Sequence, residues 1–419
     1  MKASHSLTSW MDIPEDSDFS IYNIPFGVFQ TQQLSARCCT AIGNQVVDLT
    51  VLAEHGYFSA LPAVTDTFHR EHLNDFISSG KEHTNKVRER LIELFSKDNR
   101  ELQDKKEIHA AVFYKQEEVT MRMPVKVGDY TDFYSSKEHA TNVGAMFRDP
   151  NNALLPNWKH LPVAYHGRAS SIVVSGTPLI RPKGQFKGKE DAIPGFGPSR
   201  ALDYELEIGF VIGKNSKLGE SISTDKAEEY IFGFLLFNDW SARDIQSWEY
   251  VPLGPFLGKN FMSSVSPWIV TLEALVPYKT NGPVQDVEVL PYLQFKGEQN
   301  FDIELEIALQ PEGGVAECIS RSSFKYMYWN IRQQLAHHTV NGCNVNVGDI
   351  MASGTISGPT RDSAGCLLEQ TRNGQEPLTL KDGSTRKFLQ DGDTVIMKGF
   401  ADKDGIRIGF GAVKGTVTG

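Results

Sequence analysis

FGFLLFNDWSARDIQSWEYVPLGPFLGK, from Phe232 to Lys259, sets an apolar run directly against a polar one. Phe232–Phe237 is short and bulky, the composition of a buried strand. The run stops at Asn238-Asp239. A carboxylate at the end of a buried strand is tolerated only with a cation or several donors against it. Arg243, Asp244, Gln246, Glu249, Tyr250 and Lys259 follow, spaced by Trp240 and Trp248. A core helix has no use for that mixture. The stretch reads as an active-site wall whose missing groups come from elsewhere in the chain.

Upstream, Ile24–Phe29 and Cys39–Leu49 read as short strands, the second folded on itself at Gly43-Asn44. Lys81 to Arg100 predicts a helix, with Val87, Leu91, Leu94 and Phe95 on one stripe. Val119, Met121 and Met123 alternate up to Pro124, as in a strand. At Gly128 the character changes. GDYTDFYSSKEHATNVGAMFR (Gly128–Arg148) is polar or aromatic at nearly every position and has no clean period. Asp203–Gly213 alternates with period two, and Thr224 or Asp225 is placed to N-cap a helix over Lys226–Ile231. Phe301–Leu309 is a further strand. A helix is expected from Ser323 to Asn341-Gly342, carrying Phe324, Met327, Tyr328, Ile331 and Leu335 at 3–4 spacing. Short strands punctuated by Gly-Asp turns fill the C-terminal quarter. The expectation is a mainly β (α+β) chain in three parts: a loose lead-in over 1–15, an accessory domain over 16–125, and a catalytic domain over 126–419. The accessory part is expected to be a small α+β or β-barrel-like unit.

Composition narrows the function. The chain has 419 residues, too many for one ordinary domain, and 40% apolar with 22% charged residues is a globular mixture. A net charge of -10 argues against nucleic acid or an anionic membrane as the main partner. The five cysteines, Cys38, Cys39, Cys318, Cys343 and Cys366, are odd in number and lack C-x-x-C spacing. They read as reduced thiols, with Cys366 as packing rather than nucleophile. The N-terminus has no apolar core of a leader and no stretch approaches a membrane span, so a cytoplasmic protein is expected.

Chemistry concentrates in a few constellations. Glu205-Leu206-Glu207 places two carboxylates on one face of a strand, with Leu206 and Ile208 behind. Like charges that close need a cation or a proton between them. With Asp239 and Asp132 they make an all-oxygen set suited to Ca²⁺, Mg²⁺ or Mn²⁺ rather than zinc. A bare E-x-E is more often the wet face of an antiparallel sheet. The chain carries its own control: Glu304-Leu305-Glu306 repeats the pattern without a polar–aromatic neighbourhood, and reads as a solvated face. Among the histidines, His337-His338 sit late in a helix and His166 in a turn. His139 lies in the dense segment near Tyr130, Tyr134 and Arg148, and is the candidate base. Arg243 and Lys259, flanking Gln246 and Tyr250, are either an oxyanion hole for an anionic substrate or surface salt bridges.

Longer strings carry more. EDSDF, GDYTDFYSSKEHATNVGAMFR, NALLPNWKHLPVAYHGRASSIVVSGTP, NDWSARDIQSWEYVPLGPFLGK, HHTVNGCN and ASGTISG together resemble the fumarylacetoacetate hydrolase family, in its long eukaryotic-type form. The likeness runs from about Glu15 to near the C-terminus. It implies a small N-terminal β-barrel-like domain, a larger mixed β-roll and a homodimer. It implies Asp132, Glu205, Glu207 and Asp239 as ligands of Ca²⁺ or Mg²⁺, His139 as the base activating water, and Glu369 as its orienting carboxylate. Arg243, Gln246 and Lys259 fall on oxyanion-hole donors. Tyr134, Arg148, Tyr165, Gln246, Tyr250 and Thr355 fall on substrate-contacting positions. A second, structural Mg²⁺ is implied near Asp239, the Lys259 carbonyl and Ser263, where the family has threonine. The implied reaction is hydrolysis of the carbon–carbon bond of 4-fumarylacetoacetate, in tyrosine and phenylalanine catabolism. The alternatives are an acylpyruvate hydrolase or 2-oxo acid decarboxylase on the same scaffold, and a metal-stabilised protein without turnover.

Overall fold

Both faces of the Ile231–Asp239 strand are covered, and this explains its apolar run up to Phe237. In the computed structural model, which describes residues 7–188 and 190–419, this strand lies inside a mixed sheet. The order across that sheet is Ala164–His166, Tyr130–Phe133, Ile350–Ala352, Leu206–Ile212, Ile231–Asp239, Ser263–Val265, Ile172–Val174. Val270–Thr271 adds a short pairing to the start of the central strand. Two neighbour pairs are parallel, Ile350–Ala352 with Tyr130–Phe133 and Ser263–Val265 with Ile172–Val174.

Phe234 and Leu236 point toward a second sheet, ordered Glu317–Ser323, Glu304–Gln310, Thr394–Lys403, Ile406–Thr418, Leu179–Ile180. There they meet Leu305, Ile307, Met397, Phe410 and Val413. Leu235 and Phe237 point the other way, into a core shared with Phe26, Val28, Phe76 and Leu91 of the N-terminal part. That part holds a five-stranded antiparallel sheet, ordered Phe113–Lys115, Gln45–Asp48, Arg37–Ile42, Phe26–Gln30, Thr120–Met121, with helices packed on it. The molecule is mainly β, with few helices. No helix among the described residues is long and apolar enough to cross a membrane.

Phe76 joins the two halves. Its ring lies 4.9 Å from Phe26 and 5.5 Å from Phe68, and 6.3 Å edge-on from Phe232 of the central strand. Phe76→Ala is expected to cost about 3–5 kcal/mol, read as a lowered denaturant midpoint. A loss below about 1 kcal/mol would mean that the surrounding rings close the cavity.

Several local expectations need correction. The helix expected over Lys81–Arg100 ends at Phe95, although Val87, Leu91, Leu94 and Phe95 are its buried stripe. Lys226–Ile231 is a single 3₁₀ turn, Ala227–Tyr230, with no side-chain cap. Thr224 donates its hydroxyl to the Gln294 carbonyl instead of capping. The helix expected from Ser323 is split into a 3₁₀ turn, Phe324–Tyr326, and a helix, Ile331–Thr339. Asn330 caps the second piece, accepting from the Arg332 and Gln333 amides, and so forces the break. Asp203–Gly213 does not alternate in burial, because its strand, Leu206–Ile212, is covered on both faces. Glu304 is exposed and Glu306 half-buried on a strand whose Leu305, Ile307 and Leu309 are buried, as the solvated-face reading requires. All five cysteines are free. Residues 1–6 of the expected lead-in lie outside the described residues. Further along it, Ser9 Oγ and Trp10 Nε1 donate to the Phe95 and Leu94 carbonyls.

Candidate active site

Strand alternation delivers the first part of the site. Glu207 shares a strand face with Val211, and Asp239 shares one with Phe237. Asp132 stands opposite Ala352 in register, and Glu205 directly precedes its strand. The sheet face that is apolar over the N-terminal core therefore ends in carboxylates. One oxygen from each of Asp132, Glu205, Glu207 and Asp239 lies within 4.8 Å of the others, all four buried.

Lys259 Nζ donates to Glu205 Oε2 and Asp239 Oδ2, both at 2.6 Å. Arg243 donates from Nη1 to Glu205 Oε1 at 2.7 Å and to Gln246 Oε1 at 3.2 Å. The Tyr165 hydroxyl donates to Asp239 Oδ2 at 3.2 Å and that of Ser263 to Asp239 Oδ1 at 3.1 Å. Asp132 Oδ1 and Glu207 Oε1 are buried without a hydrogen-bond partner among the described residues. The other Glu207 oxygen accepts from the Gly354 amide at 2.9 Å. Gly354 has φ +79°, and a Cβ there would lie 2.2 Å from the Phe133 carbonyl, so the turn that presents this amide needs glycine.

The electrostatics divide the carboxylates. Burial alone works against ionising Glu205, but Lys259 and Arg243, with His139 nearby, hold its carboxyl well below the usual carboxylate range. Burial, then the neighbouring acids, pushes Asp132 and Glu207 up. Lys259 is pushed up despite burial, by Asp239 and Glu205, and stays charged. Two bare buried oxygens in an all-oxygen set with surplus negative charge are the condition that a hard divalent cation relieves. The residues fit one.

The second part stands beside the first. Ser136 caps the helix Lys137–Phe147, accepting from the His139 amide, and places His139 in its first turn. His139 Nδ1 lies 2.7 Å from Glu369 Oε2. Glu369 also accepts from Asn142 Nδ2 and Ser357 Oγ, each at 2.8 Å, and Cys366 Sγ lies 3.2 Å away. Burial would raise Glu369, but His139 and these donors outweigh it and hold the carboxyl below its ordinary range. Burial and the acids around it push the Cys366 thiol up, so it remains protonated. With Nδ1–H given to Glu369, Nε2 is the ring's acceptor. The Tyr134 ring packs edge-on, 5.3 Å from the imidazole.

The structure thus brings together Asp132, Tyr134, His139, Tyr165, Glu205, Glu207, Asp239, Arg243, Gln246, Lys259, Ser263 and Glu369. Thr355 is buried next to Gly354. Two further side chains make no hydrogen bond to these groups. The Arg148 guanidinium is taken up by the Ala153 carbonyl at 3.0 and 2.7 Å, and Tyr250 is half exposed at the end of the Arg243–Glu249 helix. Asp244 and Glu249 are scaffold. Asp244 accepts from Ser199 and the Arg200 amide, and Glu249 from the Phe256 and Gly258 amides, which fixes the loop before Lys259. Asn142, Ser357 and Asp203 were not singled out from sequence. Only Asp203 carried a signal, the same parity as Glu205 and Glu207.

This chain belongs to the fumarylacetoacetate hydrolase family. Residues 129–418 match the model described as Fumarylacetoacetate (FAA) hydrolase C-terminal, and residues 22–124 the one described as Fumarylacetoacetase N-terminal. It is 52% identical over 417 residues to the Fumarylacetoacetase of Dictyostelium discoideum and 50% identical over 411 residues to that of Homo sapiens. Each alignment covers 98% of both chains. Among solved structures, Fumarylacetoacetate hydrolase from Exiguobacterium antarcticum shares the fold, with a TM-score of 0.54 at 19% identity, over 94% of this chain and 99% of that one.

Proposed function

We propose that this chain hydrolyses the carbon–carbon bond of 4-fumarylacetoacetate to fumarate and acetoacetate. The observation that carries it is the buried His139–Glu369 pair standing beside a four-carboxylate cluster. Kinship at about half identity along nearly the whole chain supports the substrate.

Glu369 fixes the imidazole, and His139 Nε2 takes a proton from water. The water oxygen bonds to the carbonyl carbon next to the fumaryl group, and that carbonyl becomes a tetrahedral oxyanion. Lys259, Gln246 and Arg243 are the donors near it. The oxyanion re-forms its carbonyl as the carbon–carbon bond breaks, and the electron pair leaves as the enolate of acetoacetate, which takes up the proton held by His139. Asp132, Glu205, Glu207 and Asp239 would hold Ca²⁺ or Mg²⁺, which supplies Lewis acidity to the diketone oxygens. Ser263 beside Asp239 retains the hydroxyl suited to a second, structural Mg²⁺. Tyr134, Arg148, Tyr165, Tyr250 and Thr355 are assigned to substrate contact, Arg148 needing a shift off Ala153 and Tyr250 a closing of its loop.

A cytosolic homodimer completes the reading, as does a domain boundary near residue 125. Exposed Ile193, Phe196, Val251, Leu253 and Phe256 support the dimer. The hairpin Lys183–Phe186/Gly195–Pro198 leans on the Arg243–Glu249 helix through Trp248 and Gln185, 3.4 Å apart. The test of function is loss of the diketone absorbance of fumarylacetoacetate on adding purified protein. Preference for an acylpyruvate, or no turnover at all, overturns the assignment.

A further inference from the structure

Arg243 and Glu369 come from segments far apart in sequence, yet one buried side chain touches the structures that hold both. Asp203 is fully buried. Its Oδ2 accepts from Arg243 Nε at 2.9 Å and from the Leu368 amide at 3.0 Å. Its Oδ1 accepts from the Leu367 and Tyr204 amides, both at 2.8 Å. Leu367 and Leu368 open the short helix Leu367–Gln370 that carries Glu369, and the residue at its cap position, Cys366, makes no side-chain capping bond. Asp203 takes over that cap from another strand. The orphan amides of a helix start are among the groups a carboxylate satisfies best.

The other half of the clamp is equally specific. Of the Arg243 guanidinium, Nε is held by Asp203 and Nη1 by Glu205 and Gln246. Nη2 is buried without a hydrogen-bond partner among the described residues. A planar fork gripped on two nitrogens has its third aimed, with no rotamer freedom left. Asp203 itself hydrogen-bonds to neither the carboxylate cluster nor His139. Its position is behind the donor and behind the orienter.

We infer that Asp203 is a positioning residue that locks the oxyanion donor Arg243 to the helix bearing Glu369, so that base and oxyanion hole are set as one unit. The inference rests on the hydrolase reading above. Such an element raises turnover rather than substrate affinity, because the oxyanion forms only after substrate is bound.

The test is a double-variant cycle on fumarylacetoacetate hydrolysis with Asp203→Asn, Arg243→Gln and the pair. Asp203→Asn keeps the shape but cannot accept with both atoms. It is expected to lower kcat about 100-fold with KM within threefold and with Ca²⁺ binding, followed by calorimetry, retained. In the pair the losses are expected to fall at least tenfold short of multiplying, because Asp203 acts through Arg243. A kcat within threefold of the parent, or losses that multiply in full, overturns the inference. If Asp203→Asn does not fold, Asp203→Glu keeps the charge and displaces it by a methylene. A folded Asp203→Glu with parental kcat also overturns it. A parent with no turnover fails the hydrolase reading and takes this one with it. An active parent with an impaired Arg243→Gln and a neutral Asp203→Asn fails this one alone.

Discussion

Replacing His139 by alanine is expected to lower kcat on fumarylacetoacetate by about 10³-fold, within the range that a positioned base contributes. The reason is local. His139 is buried, its Nδ1 is committed to Glu369 at 2.7 Å, and Nε2 is the nitrogen left to accept a proton. Nothing in the carboxylate cluster hydrogen-bonds to the ring, so cation affinity and the cation-dependent part of the melting temperature are expected to stay. Alanine at a helix position in the first turn costs the helix little. The readouts therefore separate: turnover collapses while folding and metal loading persist. A variant that keeps more than a tenth of the parental kcat removes His139 from the role of base.

Stripping the divalent cation is the second large effect. Chelation is expected to abolish turnover reversibly and to lower the melting temperature. At free cation 100 times its Kd the lost linkage is about 2.7 kcal/mol. The pH dependence has a definite sign. In the cation-free chain, burial raises Asp132 and Glu207 above the roughly 3.9 and 4.3 of unfolded carboxylates. The folded form thus binds protons that the unfolded chain has released. Its stability is fully present below the unfolded values and is lost as pH rises through the folded ones. A bound cation favours the ionised carboxylates and removes that loss. The chelator-induced fall in melting temperature is expected to be larger at pH 8 than at pH 5, as scanning calorimetry would show. A gap that narrows with pH, or full activity in chelator, sinks the metal assignment.

Sequence reading reached different depths at different residues. The buried strand before Asp239 was legible because apolar side chains on every position leave no wet face. Glu205-x-Glu207 was separable from Glu304-x-Glu306 only by its polar–aromatic neighbourhood, since the motif is the same; the first pair is buried, while Glu304 is exposed and Glu306 half-buried. The helix Lys137–Phe147 escaped periodicity. Its buried residues are His139, Ala140 and Gly144, a small and polar set, so no apolar stripe marks it. Glu369 was reachable only through resemblance, because its meeting with His139 is a contact across 230 residues. Asn142 reaches it across 227 residues for the same tertiary reason. The split at Asn330 shows the limit of spacing: a cap overrides a 3–4 pattern that runs straight through it.

The doubly covered central sheet has a consequence for how the chain can be shortened. The residues matching the C-terminal family model begin at 129 and hold every residue of the candidate site. A chain cut there nevertheless bares Val211, Phe232, Leu235, Phe237, Val265 and Ile350, the sheet face now roofed by Phe26, Phe76 and Leu91. An open apolar sheet of that kind is a template for self-association. A fragment beginning at residue 129 is therefore expected to be recovered from inclusion bodies rather than from the soluble fraction.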